Sequence, residues 1–317
     1  IFPKRYGAAG AAPRCPRPTG IRILKAARKS GGFHLFLRFD PARGHAATAY
    51  IGSGMDAEVR PVKINGVFQG GGVKGIGLAG AVYAAERYGI TFHQTAGTSA
   101  GAIVASLVAA GYTGSEMREL MLRTPFGEFI RKDWYHRVPW VGPAVRLLLK
   151  NGLYSGNPLE EWIREVLDHK GIRTFADLPP KALRVVASDI SDGKLLVLPD
   201  DIAGYGMDPN RLSVARAVRM SCSLPFFFDP VKIRVRQRRG GRTLRLAGQP
   251  VYIVDGGILS NYPLWIFDRE IKERPPRIPI IGFQLVGSKE PGPREIRGPI
   301  TMLQALFATM TTAHDLR

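Results

Sequence analysis

The sequence predicts an α/β fold in which helices cover a mostly parallel sheet. Between residues 62 and 110, glycine-rich turns join segments in the order strand, helix, strand, helix. Adjacent parallel strands need such crossover connections, so this order is typical of a parallel sheet. The 317 residues, 45% of them hydrophobic, suffice for one large domain of this class or for two small ones.

Each element of this first unit has its own pattern. Residues 62–69 predict a strand that ends in a glycine cluster, and residues 75–88 predict a helix. A short strand at 91–96 and a helix of small and apolar residues at 100–110 follow.

Later segments complete the sheet and its covering helices. We expect strands at 182–188, 251–254 and 278–285, helices at 158–169, 214–220 and 301–314, and an irregular cap at 125–157. Residues 232–246 alternate with period two around a pair of glycines, which predicts a β-hairpin.

Residues 1–60 differ from the rest of the chain. They are rich in Gly, Ala, Pro and Arg and lack sustained periodicity, so we expect a basic, poorly ordered leader. A strand at 33–39 is its best-patterned segment. Met55 directly precedes the patterned region and is a candidate natural start. We expect the well-patterned region, residues 61–317, to form the main domain.

The net charge of +19 is unusually high and unevenly spread, with ten Lys or Arg residues against one Asp before Met55. Such a balance attracts anionic partners and does not by itself distinguish lipid surfaces from nucleic acid.

Cys15 and Cys222 lie far apart, which argues against a disulfide framework or a Cys-based metal site and fits a reducing compartment. The sequence has no apolar run of the ~18 residues that span a bilayer.

Residues 97–101, GTSAG, fit the G-x-S-x-G pattern of a nucleophile elbow. In such an elbow a serine on a tight strand-to-helix turn projects its hydroxyl outward, and small neighbours let the turn close. The pattern alone is equally compatible with a flexible glycine turn. Its position between a predicted strand and a helix of small residues favours the elbow, with Ser99 as nucleophile.

A second glycine cluster, GGGVKG at residues 70–75, also follows a strand and precedes a helix. Amides at a helix N-terminus can stabilise a developing oxyanion. The cluster also matches a dinucleotide fingerprint, but that interpretation needs an acidic residue at the end of the next strand, and residues 91–97 have none. A phosphate-binding P-loop would need Ser or Thr after Lys74, where Gly75 stands. The oxyanion interpretation is therefore favoured.

A serine nucleophile needs a base, and the sequence offers two candidates. His314 is the one histidine that follows Asp255, as the Ser-Asp-His order of α/β-hydrolases requires, but it falls on a predicted helix. Asp255 itself follows a predicted strand and precedes two glycines, which would let its carboxylate approach another turn closely. The alternative for this motif is an Asx turn that closes the strand.

Together, the G-G-G-x-K-G loop, the G-T-S-A-G elbow and the distant D-G-G resemble the motifs of the patatin-like phospholipase family. The stretches GLYSG at 152–156, SCSLP at 221–225 and DGGILSNYP at 255–263 also resemble segments of that family. The similarity covers roughly residues 62–290.

The resemblance implies a three-layer α/β/α sandwich with a mostly parallel central sheet, and a Ser-Asp dyad without histidine. Ser99 would attack a lipid ester and Asp255 would accept its proton. The oxyanion would be held by the amides of Gly71, Gly72 and Val73. The residues that shape the three motifs are Gly70, Lys74, Gly75, Gly97, Gly101, Gly256 and Gly257. Neither a metal ion nor a cofactor is implied.

The expected function is therefore that of a phospholipase A or lysophospholipase, cytoplasmic or peripheral to a membrane, with a lipid ester and no nucleic acid as its partner. A catalytically silent relative that binds lipid or protein is the alternative. Its basis is the unusual leader, together with a chain that stops at Arg317, where the resemblance leads us to expect more sequence.

The predicted hairpin carries basic residues at every second position, so they would share one face of a strand. These residues are Lys232, Arg234, Arg236 and Arg238. Such a face is either a solvated edge that prevents aggregation or a contact with an anionic membrane.

Overall fold

The computed structural model describes residues 34–39, 61–125, 150–234, 250–267 and 278–285, together with residues 127, 129, 147, 295–298, 301–302, 305–306 and 309. For residues 34–39, 73, 74 and 285 the description covers the backbone alone. All statements below concern these residues.

The strands, numbered in chain order, are β1 (His34–Phe39), β2 (Val62–Phe68), β3 (Ile90–Thr98), β4 (Gly152–Tyr154), β5 (Leu183–Asp189), β6 (Lys194–Leu198), β7 (Phe226–Phe228), β8 (Val231–Arg234), β9 (Pro250–Asp255) and β10 (Ile280–Leu285). The α-helices are α1 (Ile76–Arg87), α2 (Ala100–Ala109), α3 (Gly114–Arg123), α4 (Asn157–Asp168) and α5 (Val214–Ser221).

Eight of these strands form one sheet in the order β1, β10, β2, β3, β5, β9, β8, with β6 also paired to β5. The strands from β1 to β5 in that order pair in parallel. The pairs β5–β6, β5–β9 and β8–β9 are antiparallel. The prediction of a mostly parallel sheet is confirmed, and the antiparallel pairs are those among β5, β6, β8 and β9.

Hydrophobic side chains cover both faces of this sheet. On one face Phe68 belongs to the larger core, which includes buried residues of all five α-helices. On the other face Val67 packs with Ile266 and Phe267, and residues 265–267 are helical. Neighbours such as Val67 and Phe68 enter different cores because successive side chains of a strand point to opposite faces. The fold is a three-layer α/β/α sandwich, as predicted.

The predicted elements on described residues agree with the observed ones to within two residues at each end. Helix α3 was not predicted. It begins with a capping box in which Thr113 Oγ1 accepts the amide of Glu116, and the Glu116 carboxylate accepts the amide of Thr113. The spacing T-x-x-E is the sequence signal for this start. Of the predicted helix at 301–314, the described residues 301, 302, 305, 306 and 309 are helical.

The predicted leader contributes one strand to the sheet. Strand β1 pairs in parallel with β10, with His34 opposite Ile280, and so forms one edge. The remainder of residues 1–60 lies outside the described part of the chain, as does most of the predicted cap at 125–157.

The first strand of the predicted hairpin is β8. It pairs with β9, where Val231 lies opposite Ile253 and Ile233 opposite Val251. All four of these side chains are buried, so the apolar cross-strand pairs account for this register. The predicted return strand falls within residues 235–249, outside the described residues.

Within the described residues, no helix combines the length and the apolar character that a membrane span needs.

Candidate active site

The candidate site lies where two strands meet on one edge of β5. The end of β3 pairs with the first half of β5, and its last pair is Thr98 opposite Val186. The end of β9 pairs with the second half, and its last pair is Asp255 opposite Ala187. Strand β6 pairs with residues of both halves, so it occupies the opposite edge of β5. Strands β3 and β9 therefore meet end to end, which brings Asp255 beside Ser99 across 156 positions of sequence.

Ser99 occupies a strained turn between β3 and α2. Its φ of 54° and ψ of −125° lie in a region that residues with a side chain rarely adopt. A Cβ on Gly97 would collide with the carbonyl of Gly101, and a Cβ on Gly101 would collide with the carbonyl of Phe68. The turn can close only because both positions are glycine.

The hydroxyl of Ser99 donates a hydrogen bond of 2.7 Å to Oδ2 of Asp255. The other carboxylate oxygen, Oδ1, accepts the amide of Gly257 at 2.8 Å, which is the bond of an Asx turn. Asp255 thus makes the bond of an Asx turn with one carboxylate oxygen and contacts the Ser99 hydroxyl with the other. The carbonyl of Ser223 accepts the amide of Asp255 at 2.9 Å and fixes the backbone here.

Burial changes the acidity of the Asp255 carboxyl. The residue is 2% exposed, and desolvation raises the pKa of its carboxyl to about 6, against the lowering effect of the hydrogen bonds from Ser99 and Gly257. A carboxylate with a raised pKa accepts protons more readily than an ordinary aspartate and still ionises at neutral pH. Burial also raises the pKa of the neighbouring Cys222 thiol, which keeps that thiol protonated.

The glycine-rich loop packs against the elbow at both of its ends. A Cβ on Gly70 would overlap Oδ1 of Asn261 and lie 3.1 Å from the carbonyl oxygen of Thr98. A Cβ on Gly75 would overlap the Cβ of Ala100, the residue after Ser99. The loop and the elbow touch so closely that neither glycine position has room for a side chain.

Backbone amides lie at the exposed centre of the same loop. A 3-10 helix begins at Gly72, so the first amides of this helix have no acceptor within it. Gly71 and Gly72 are exposed, and Gly72 has a φ of 55°. The side chains of Val73 and Lys74 lie outside the described residues.

The chain that follows Asp255 links all three motifs. The hydroxyl of Thr98, the residue before Ser99, donates a hydrogen bond of 2.9 Å to the carbonyl of Ser260. Asn261 binds Gly70 twice: its carbonyl accepts the Gly70 amide at 2.9 Å, and its side-chain amide donates to the Gly70 carbonyl at 3.2 Å. One stretch of seven residues, 255–261, thus carries Asp255 and binds both the elbow and the loop.

Sequence analysis did not identify the polar residues that support the site, namely Thr98, Ser221, Ser260 and Asn261. The resemblance of SCSLP and DGGILSNYP to family segments was the available signal, and it assigned no role to single residues.

Two histidine side chains, those of His93 and His169, belong to the described part of the chain. His93 is exposed on β3, six residues before Ser99, which corresponds to roughly 20 Å along a strand. His169 is exposed at the end of α4. His314, the alternative base, lies outside the described residues.

Comparison with known sequences identifies relatives over most of the chain. The profile of patatin-like phospholipases matches residues 66–268. The uncharacterized protein YqhO of Bacillus subtilis (strain 168) is 45% identical over 260 residues, which are 80% of this chain and 82% of YqhO. The uncharacterized protein R571 of Acanthamoeba polyphaga mimivirus is 25% identical over 213 residues, which are 65% of this chain and 62% of R571.

The solved structures that align with this chain are larger. VipD from Legionella pneumophila aligns with a TM-score of 0.41 and 18% identity over 72% of this chain and 50% of VipD. ExoU, in its heterodimeric complex with SpcU from the type III secretion system of Pseudomonas aeruginosa, aligns with a TM-score of 0.40 and 16% identity over 98% of this chain and 59% of that chain. This chain thus spans half to three fifths of those structures. On the profile match and the identity to YqhO, the protein belongs to the patatin-like phospholipase family.

Proposed function

We propose that the protein is a serine lipid-acyl hydrolase of the phospholipase A or lysophospholipase type. It would cleave ester-linked fatty acids from phospholipids or related lipids through a Ser99–Asp255 dyad. Membership of the family supports lipid hydrolysis in general. The observation that carries the finer proposal is the 2.7 Å hydrogen bond from the Ser99 hydroxyl to a buried carboxylate whose pKa is raised. A nucleophile within hydrogen-bond reach of such a base is the arrangement that acyl transfer requires.

In the first half of the proposed reaction, Oδ2 of Asp255 accepts the hydroxyl proton while Oγ of Ser99 attacks the ester carbonyl carbon. The carbonyl oxygen becomes negatively charged, and the amides of Gly71, Gly72 and Val73 would stabilise it. The carbon–oxygen bond to the alcohol then breaks. The proton on Asp255 passes to the departing alkoxide, and the fatty acyl group remains on Ser99.

In the second half, Asp255 accepts a proton from water, and the resulting hydroxide attacks the acyl carbon. The bond to Oγ breaks, Ser99 regains the proton, and the free fatty acid leaves. The amide of Gly257 stays on Oδ1 throughout, which would keep Oδ2 directed at the nucleophile.

We further propose that the enzyme works in the cytoplasm at the surface of an anionic membrane, with β8 as the contact. Lys232 and Arg234 are exposed on β8, which is an edge strand among the strands that the structure describes. Arg234 lies opposite Pro250, five residues before Asp255 on the adjacent strand, which corresponds to roughly 17 Å. Each basic residue near an anionic bilayer contributes about 1 kcal/mol. A solvated edge that resists aggregation remains the alternative role.

The dyad is tested by Ser99→Ala and Asp255→Asn. Each variant should fold and lose hydrolysis by several orders of magnitude, because the two residues act as a unit. His314→Ala is the control and should keep its activity. The measurement is fatty-acid release from mixed phospholipids, with fluorophosphonate labelling of Ser99 in parallel.

The possible outcomes separate the two candidate functions. A wild-type protein that neither labels nor hydrolyses would favour the catalytically silent lipid- or protein-binding relative. An inactive His314→Ala beside an active Asp255→Asn would show that the base is misassigned.

The pH dependence follows from the raised pKa of Asp255. The base must be deprotonated, so kcat/KM should fall tenfold per pH unit below about pH 6 and level off above it. Because the folded-state pKa lies above the ordinary value, the buried charge destabilises the fold increasingly as pH rises from about 4 to 6. Asp255→Asn should therefore be at least as stable as the wild type at pH 8. The measurements are a pH–rate profile and thermal unfolding, and activity that stays level down to pH 4 would contradict the assignment.

The meeting point of β3 and β9 is tested by Gly256→Ala. The added Cβ would collide with the carbonyl of Val186 and lie 3.0 Å from Cγ2 of Thr98, so Asp255 must shift. We expect kcat to fall by about 100-fold and stability by about 1–3 kcal/mol. Gly204→Ala is the matched control, because nothing lies within 4 Å of its added Cβ. The measurements are kcat and thermal unfolding. Equal losses of kcat and stability in both variants would contradict this account of the meeting point of β3 and β9.

The membrane contact is tested by the combined substitution of Arg234, Arg236 and Arg238 by Glu. Activity on anionic vesicles should fall, whereas hydrolysis of a short soluble ester should hardly change. High salt should reduce wild-type activity on vesicles similarly, because exposed charges are screened within about 10 Å at 0.1 M. Neutral vesicles serve as the control. Equal binding of both proteins to anionic vesicles at low salt would leave the solvated edge as the explanation.

A further inference from the structure

We infer that Ser221 is a positioning residue that holds the nucleophile elbow in its reactive conformation, an inference that rests on the proposed function. Its hydroxyl accepts the backbone amide of Ser99 at 2.8 Å and donates to the carbonyl of Val186 at 2.6 Å. It acts on the reaction through the backbone of the nucleophile.

The position of this hydroxyl in the sheet explains its role. Ser221 is the last residue of α5 and is completely buried. Its hydroxyl lies just beyond the last pair of β3 and β5, which is Thr98 opposite Val186. At this point β3 turns away into the elbow, and the Ser99 amide leaves the sheet. The hydroxyl thus bridges an amide that follows β3 and a carbonyl of β5, and it takes the place of a ladder hydrogen bond.

The strained backbone of Ser99 needs restraint on both of its sides. Conformations of this kind persist only where the surroundings hold them. The carbonyl side is held by α2, because the amides of Ala102 and Ile103 donate to the Ser99 carbonyl at 2.8 and 3.3 Å. The amide side is held by Ser221. The glycines at 97 and 101 make room for the turn but supply no such bond from a side chain.

Loss of the Ser221 hydroxyl would leave the Ser99 amide and the Val186 carbonyl without this link. The backbone of Ser99 could then relax toward a less strained φ, and its Oγ would move relative to Oδ2 of Asp255. A misplacement of about 1 Å can lower a catalysed rate by about 100-fold. Because its amide is committed to Ser221, Ser99 does not offer that amide to the oxyanion.

The test compares Ser221→Ala with Ser106→Ala. Ser106 is also buried, and its hydroxyl donates to the Ile103 carbonyl within α2 at 2.7 Å, so the control removes one buried hydroxyl near the elbow and leaves the Ser99 amide bonded. The readouts are kcat and KM on a short soluble ester, the rate of fluorophosphonate labelling, and hydrogen exchange of the peptide that contains residues 97–101.

For Ser221→Ala we expect kcat and the labelling rate to fall together by about 10- to 100-fold. KM should stay within about twofold, and exchange in the elbow should become faster. Ser106→Ala should match the wild type in kcat and in exchange of the elbow. A wild-type kcat in Ser221→Ala, or an equal loss in Ser106→Ala, would overturn the inference.

Two further results keep the test decisive. If the wild type shows no hydrolysis or labelling, the proposed function fails, and the exchange measurement alone decides whether Ser221 restrains the elbow. If Ser221→Ala does not fold, Ser221→Cys replaces it, because a thiol is a weaker partner of similar size. A lower kcat at unchanged KM in Ser221→Cys supports the inference, and a wild-type kcat with wild-type exchange overturns it.

Discussion

Two strands of opposite direction share one edge of β5, and the site depends on where each of them stops. The parallel strand ends opposite Val186 and turns into the elbow, while the antiparallel strand ends opposite Ala187 with Asp255. Side chains alternate along a strand, so a slip of β9 by one residue would turn the Asp255 side chain to the other face of the sheet. The buried pairs between β8 and β9 oppose such a slip. The chemistry of the site therefore rests on the register of apolar strands.

Backbone atoms contribute as much to this site as side chains do. The glycines at 70, 75, 97, 101 and 256 stand where a Cβ would meet other atoms of the site or of the strands that carry it. Such approaches let carbonyl and amide groups of distant segments bond directly, as Asn261 does with Gly70. Groups that belong to the backbone have little freedom to rotate, so a site assembled in this way is largely fixed before any substrate arrives.

The sequence predicted the features that leave a local pattern. A tight turn demands glycine at fixed offsets, and a buried strand demands a short apolar run, so the elbow, the loop and most elements could be located. The pairing of β8 with β9 could not be predicted, because the alternation of apolar and basic residues indicates a strand but does not identify the strand that pairs with it. The supporting contacts of Thr98, Ser221 and Asn261 join residues 122 to 191 positions apart. Serine, threonine and asparagine are common, and only the folded chain shows which of them meet.

Because β3 and β9 meet end to end on β5, the positions of Ser99 and Asp255 do not depend on the length of the chain between them. Two connections lie between Ser99 and Asp255 in the sequence, one from α3 to β4 and one from β8 to β9. The second joins Arg234 to Pro250, at the end of the β8–β9 pairing that is farther from Asp255. A change in the length of either connection would leave the register on β5 intact. Insertions at these two places would therefore leave Ser99 and Asp255 in their positions.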